Sequence, residues 1–221
     1  MKKIQFWYLH ILTLASICLS SAYGADGVSQ LKAFSKNVNS AQGDFYQQQI
    51  ASQLGSDGKP KVLRQYSGQF IFVRPGKFVW TTIKPFEQKF LSDGKQLVMW
   101  DKDLNQVTYR PATKALASTP AAILFGGGNL EEYFDLVNTT EKNGLAWVEL
   151  IPKSQKNKID DLPFNKIGIG LKDNLPVAME LRDALDNIVL LTFSQILVNR
   201  TIGNQEFVFN PPPGAEIVRL K

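Results

Sequence analysis

Cysteine and histidine are nearly missing from these 221 residues, and each occurs once, at Cys18 and His10. Both lie in an N-terminal stretch with the makeup of an export signal. Lys2 and Lys3 give it a positive start, and an apolar run follows from Ile4 to Leu19. Small residues, Ala22 and Gly24, then stand at the two positions a signal peptidase reads. Cleavage is expected after Gly24, with residues 1–24 as a signal peptide and residues 25–221 as one exported domain. An uncleaved anchor is the alternative, but the apolar run is short for a membrane span. Ile17 precedes Cys18 where a lipidation signal needs a small residue, which argues against a lipid on this cysteine.

The exported chain then has no histidine and no cysteine. That excludes Ser-His-Asp and Cys-His catalysis, His/Cys metal sites and disulfides. A secreted domain without disulfides depends on an ordinary core, and this chain is long enough to bury one. Charge is also sparse. Loss of Lys2 and Lys3 takes 25 basic residues to 23 against 20 acidic ones, a net of +3. The basic residues form no block or stripe, so nucleic acid is not an expected partner.

Short alternating segments dominate what is present. The stretch "DGVSQLKAFSKNVNSA" reads as a helix with Asp26 or Ser29 as cap and Val28, Leu31, Phe34, Val38 and Ala41 on one face. From Phe45 the period changes to two. "DFYQQQI", "RQYSGQFIFV", "KFVWTTI", "FEQKFLSDGKQLVMW" and "NQVTYR" read as a meander, with turns at Pro75-Gly76 and Asp93-Gly94. "SQLGSDGKPK" reads as a polar turn region. Strands resume in "YFDLVNTT", "LAWVELIP", "FNKIGIGL", "PVAMELRD" and "NIVLLTFSQILV", and a brief one precedes the Pro-rich end. The count is about eleven strands. Several are apolar on both faces, as in "FIFV" and "LVMW". A lone antiparallel sheet leaves one face wet, so both faces here need cover. The expected fold is mainly β (α+β): a curved antiparallel sheet around an apolar interior, closed by helices.

Between Pro111 and Val137 the pattern breaks. "STPAAILFGGG" offers Thr119 as N-cap, Pro120 in the first turn and three glycines as a stop. The helix between them, Ala121 to Phe125, has almost no polar face, so it is buried or covers something apolar. Carboxylate pairs at Asp101/Asp103 and Asp160/Asp161 lie in turn contexts, where Asp serves local hydrogen bonds. No catalytic, metal or cofactor site is expected, and no G-x-S-x-G, P-loop or dinucleotide motif occurs. The apolar set Phe70, Phe72, Phe78, Trp80, Met99 and Trp100 fits an ordinary core or a ligand cavity equally well. One residue interrupts it: Arg74 follows Phe70 and Phe72 at strand spacing and so points to their side.

"FVRPGKFVW", "SDGKQLVMWDKDLNQVTYR", "TPAAILFG" and "FVFNPPPGAEIV" resemble the periplasmic outer-membrane lipoprotein carrier family, the LolA family. "GDFYQQ" resembles the family's strand after its first helix, and the likeness runs over most of residues 26–218.

The resemblance implies an unclosed barrel of about eleven antiparallel strands, an N-terminal helix and a short helical lid. It implies a monomeric periplasmic carrier with no cofactor and no catalysis. Its partners would be acylated lipoproteins, an inner-membrane ABC lipoprotein-release complex and an outer-membrane receptor. Phe70, Phe72, Phe78, Trp80, Leu97 and Met99 would line the acyl cavity. Arg74 would be the latch on a lid formed by Ala122, Ile123, Leu124 and Phe125. Departures are Ala41, where relatives often have a larger apolar residue, and the long polar loop 153–163. A lipid-binding sensor on the same barrel, or a carboxylate-dependent exported hydrolase, are the competing readings.

Overall fold

Asp26, itself in an extended conformation, caps the first helix. Its carboxylate accepts the Ser29 backbone N–H at 2.7 Å, and that bond holds its pKa below the ordinary aspartate value. Helix α1 runs Gly27–Asn37 and buries Leu31 and Phe34 on the expected face. It stops sooner than its apolar stripe predicts. Val38 is the C-cap with extended backbone, and Ala41 belongs to the first strand, paired with Phe72.

The protein is described here by a computed structural model, for residues 26–112, 124, 130–153 and 164–220. The signal segment, Ala122, Ile123 and Phe125, the glycines at 126–128 and the loop at 154–163 lie outside the described residues.

Among the described residues, twelve strands form one sheet. In chain order they are β1 (Ser40–Leu54), β2 (Pro60–Val73), β3 (Lys77–Lys84), β4 (Gln88–Asp93), β5 (Gln96–Asp101) and β6 (Gln106–Pro111). After the short helix α2 (Leu130–Tyr133) come β7 (Phe134–Asn138), β8 (Ala146–Pro152), β9 (Lys166–Lys172), β10 (Leu175–Arg182), β11 (Ile188–Val198) and β12 (Glu216–Arg219). The sheet order is β12-β6-β5-β4-β3-β2-β1-β11-β10-β9-β8-β7. It is a meander broken at two places, where β11 returns to pair with β1 and where β12 returns to pair with β6. β7 and β12 remain as edges, so the barrel is unclosed. All pairs are antiparallel except β12 with β6.

Turn chemistry fixes the register. Gly76 (φ +71°) and Gly94 (φ +93°) occupy the left-handed backbone their hairpins require. Asp93 accepts the backbone N–H groups of Lys95 and Gln96, both at 2.8 Å. β1 and β2 extend further than their sequence suggests. Polar side chains at Gln47, Gln48, Gln49 and Gln65 do not stop a hairpin whose two arms pair with each other. Only residues 55–59 separate them.

Two apolar clusters lie on opposite faces of the sheet. The larger joins α1, Leu124 and the inward residues of most strands. The smaller sits outside, where Phe207 covers Val79, Leu91, Val98 and Val107. Phe207 ends a 3₁₀ turn, Asn204–Phe207, in the segment between β11 and β12. Cover for the second face of β2–β6 therefore comes from the C-terminal segment, while the curl of the sheet encloses only the first. Trp100 belongs to this outer side and meets Phe209, with ring centroids 6.1 Å apart.

Candidate functional site

Register places the expected lining residues together. Phe70 pairs with Trp80 and Phe72 with Phe78. Trp80 pairs with Phe90 and Phe78 with Ser92. Those in turn face Met99 and Leu97. Paired residues share a face, so Phe70, Phe72, Phe78, Trp80, Leu97 and Met99 all point inward. All are buried except Met99, which is half-buried.

Three aromatics join them that the sequence reading did not single out as lining residues. The Phe45 ring stacks on Trp80 with centroids 3.9 Å apart. Phe193 stands edge-on to Phe70 at 5.6 Å and to Trp80 at 6.4 Å. Phe34 from α1 meets Phe72 edge-on at 6.2 Å. Gly68 makes the Phe45–Trp80 stack possible. A Cβ there would stand 1.9 Å from the Thr81 carbonyl oxygen and 2.8 Å from the Phe45 ring. Phe45 and Gly68 are cross-strand partners, so a Phe opposite a Gly was the available signal.

Arg74 closes one end of this face. Its backbone N–H donates to Asn39 O at 2.8 Å. Its Nε donates to Val38 O at 2.9 Å, and Nη2 donates to Leu124 O at 3.3 Å. The guanidinium carbon lies 5.3 Å from the ring centroids of both Phe34 and Phe72. The fork thus spans two carbonyls while its faces meet aromatic rings, a use that lysine's point charge cannot reproduce. Burial pushes its pKa below the ordinary arginine value. Leu124 is helical and buried, and belongs to the larger apolar cluster.

Asn199 fixes the corner from which Val38 O is presented. Its side chain accepts the Asn39 N–H at 2.8 Å and donates to Asn37 O at 2.9 Å. Its backbone N–H donates to Ser40 O at 2.7 Å. Asn tolerates the left-handed conformation it adopts there (φ +55°). No local sequence pattern marks this role, because the contacts span about 160 residues.

Asp101 behaves as a turn residue, accepting the Leu104 N–H at 3.1 Å and Gln88 Nε2 at 2.7 Å. Asp160 and Asp161 lie outside the described residues. Among the described residues no group of three or more His, Cys, Asp or Glu could hold a metal. Among them, too, no helix is long and apolar enough to cross a membrane.

Comparison with known proteins agrees with this architecture. Residues 36–210 match the family model described as outer membrane lipoprotein carrier protein LolA. An outer-membrane lipoprotein carrier protein of Ralstonia nicotianae is 41% identical over 95% of this chain and 96% of its own. One of Cupriavidus pinatubonensis is 45% identical over 88% of each chain. Among solved structures, an uncharacterized conserved protein from Thermus thermophilus shares the fold, at a TM-score of 0.52 and 11% identity, over 87% of this chain and 96% of that one. With these matches, the order of the strands and the inward aromatic face, the chain belongs to the outer membrane lipoprotein carrier protein LolA family.

Proposed function

We propose that this protein carries lipoproteins across the periplasm, sheltering their acyl chains against the aromatic concave face. In this reading it is an exported monomer that acts by binding, without catalysis or cofactor. It takes cargo from an inner-membrane ABC lipoprotein-release complex and yields it to an outer-membrane receptor. Phe70, Phe72, Phe78, Trp80, Leu97 and Met99 line the acyl site, joined by Phe45 and Phe193. Ala122, Ile123, Leu124 and Phe125 form the lid.

One observation carries the reading. Arg74 joins the junction of α1 and β1, at Val38, to Leu124 through two backbone carbonyls, at the end of an otherwise apolar face. Such a bond between a strand and a short covering segment is suited to a closure that must open. Burial of each acyl CH₂ is worth about 0.8 kcal/mol, so even part of one chain can offset the few contacts that hold the lid. The names of the relatives support the same reading.

The experiment is crystallisation with a diacylated lipopeptide. Acyl density between Trp80, Phe193 and Leu124 is expected. A ligand bound only outside this face, with the aromatic interior unchanged, would overturn the assignment.

A further inference from the structure

We propose that the rim opposite Arg74 is a membrane-contact surface that docks reversibly on anionic phospholipid. The β1–β2 hairpin projects there beyond its neighbours. Pairing of β2 with β3 ends at Ser67 and Lys84, and pairing of β1 with β11 ends at Ile50 and Ile188. The arms then continue together as far as Leu54 and Pro60. Large apolar side chains stand at this overhang and at the β3–β4 turn beside it. Leu54 is 65% exposed, Leu63 51% and Phe86 62%.

The neighbouring turns repeat the arrangement. Lys102 N–H donates to Glu87 O at 3.2 Å, which sets the β5–β6 turn and its exposed Leu104 beside Phe86. Ser52 N–H donates to Asn187 Oδ1 at 3.2 Å, which sets the β10–β11 turn and exposed Leu185 beside the hairpin. One rim therefore presents a large apolar residue at the tip of turn after turn.

Charge selects the partner. Lys59, Lys61, Arg64 and Lys84 surround the hairpin and the β3–β4 turn, and among the described residues none of them makes an ion pair. The acids there are Asp57 and Glu87, and Glu87 is paired with Lys102 at 2.7 Å. Asp103, Asp183 and Asp186 keep the flanking turns from adding to this basic collar. Single apolar tips separated by lysines suit a lipid interface, where side chains sink individually and cations reach headgroups. They do not suit a packed protein interface, whose centre is depleted of lysine. The concave face is also less covered at this end than at its centre. Gln47, Gln49 and Tyr66 share its inward parity and are only half-buried, so docking here would bring the interior up to the lipid surface.

The test is co-sedimentation of the protein, recovered from the periplasm of cells expressing the full chain, with phosphatidylglycerol/phosphatidylethanolamine vesicles. These vesicles contain no lipoprotein, so the outcome is independent of the cargo reading above. Binding is expected, several-fold weaker to phosphatidylcholine vesicles and weaker again at raised salt. The triple variant Leu54→Ser, Leu63→Ser, Phe86→Ser should bind about tenfold less with an unchanged unfolding midpoint. Lys61→Gln with Arg64→Gln should reduce only the anionic preference. No vesicle binding by the wild type, or equal binding by the triple variant, would overturn the proposal. Impaired cargo transfer by the triple variant with vesicle binding intact would overturn it too, and would assign the rim to a protein partner.

Discussion

Replacement of Arg74 by leucine tests the closure directly. The substitution keeps bulk beside Phe34 and Phe72 but removes the donors to Val38 O and Leu124 O. The bond to Leu124 is the one that must break when the lid moves. At 3.3 Å it is long for a charge-assisted bond, so its net worth is about 1–2 kcal/mol. That difference changes an open-to-closed ratio by about five- to thirty-fold. The apparent Kd for cargo is the intrinsic value divided by the fraction of protein that is open, so an empty protein biased towards closure binds correspondingly less tightly. Arg74→Leu should therefore bind a fluorescent lipopeptide more tightly, by up to that factor. It should also release it more slowly to the receptor. Stopped-flow uptake and release, measured on both proteins, read the two effects together. If both rates match the wild type, the bond to Leu124 does not govern closure. If affinity falls instead, Arg74 contacts cargo and the population argument is wrong.

Gly68→Ala should destabilise the protein by about 3 kcal/mol, because the new Cβ would meet the Thr81 carbonyl oxygen and the Phe45 ring; urea unfolding measures this, and an unchanged midpoint would contradict the described packing. Asp93 has a lowered pKa: burial alone would raise it, but the Gln96 and Lys95 backbone N–H groups outweigh that effect. Its folded pKa lies below the unfolded one, so its contribution is present above the ordinary aspartate range and is lost as pH falls through the folded value. Asp93→Asn should accordingly show a smaller loss of stability between pH values of about 6 and 3 than the wild type, and equal losses would refute the linkage.

Much of the concave face was legible because strand parity is strict. Once β2 is a strand, Phe70, Phe72 and Arg74 must share a face, and the Pro75-Gly76 turn sets Phe78 and Trp80 opposite them. The outward half was harder. Ile71, Val73, Val98 and Trp100 signalled that a second face needed cover, but not that residues near Phe207 supply it. That cover comes from a Pro-rich segment without periodicity, more than 100 residues away along the chain. The overhang of β1 was hidden for another reason. Gln47, Gln48 and Gln49 show no apolar alternation, yet each pairs across both flanking strands. The partnership of Arg74 with Val38 and Asn39 followed from neither pattern nor spacing, since it depends on how tightly the helix turns into β1.

The segment after Asn199 lies on the convex side of the sheet. It begins at the corner between α1 and β1, passes over β3 and β4 at Phe207, and ends by pairing with β6. A band on the outside of an arc is stretched when the arc tightens and slackens when it flattens. This one therefore opposes collapse of the interior but offers no resistance to widening. The sheet is held like a bow strapped along its back, free to spread around a guest and limited in how far it can fold inward when empty.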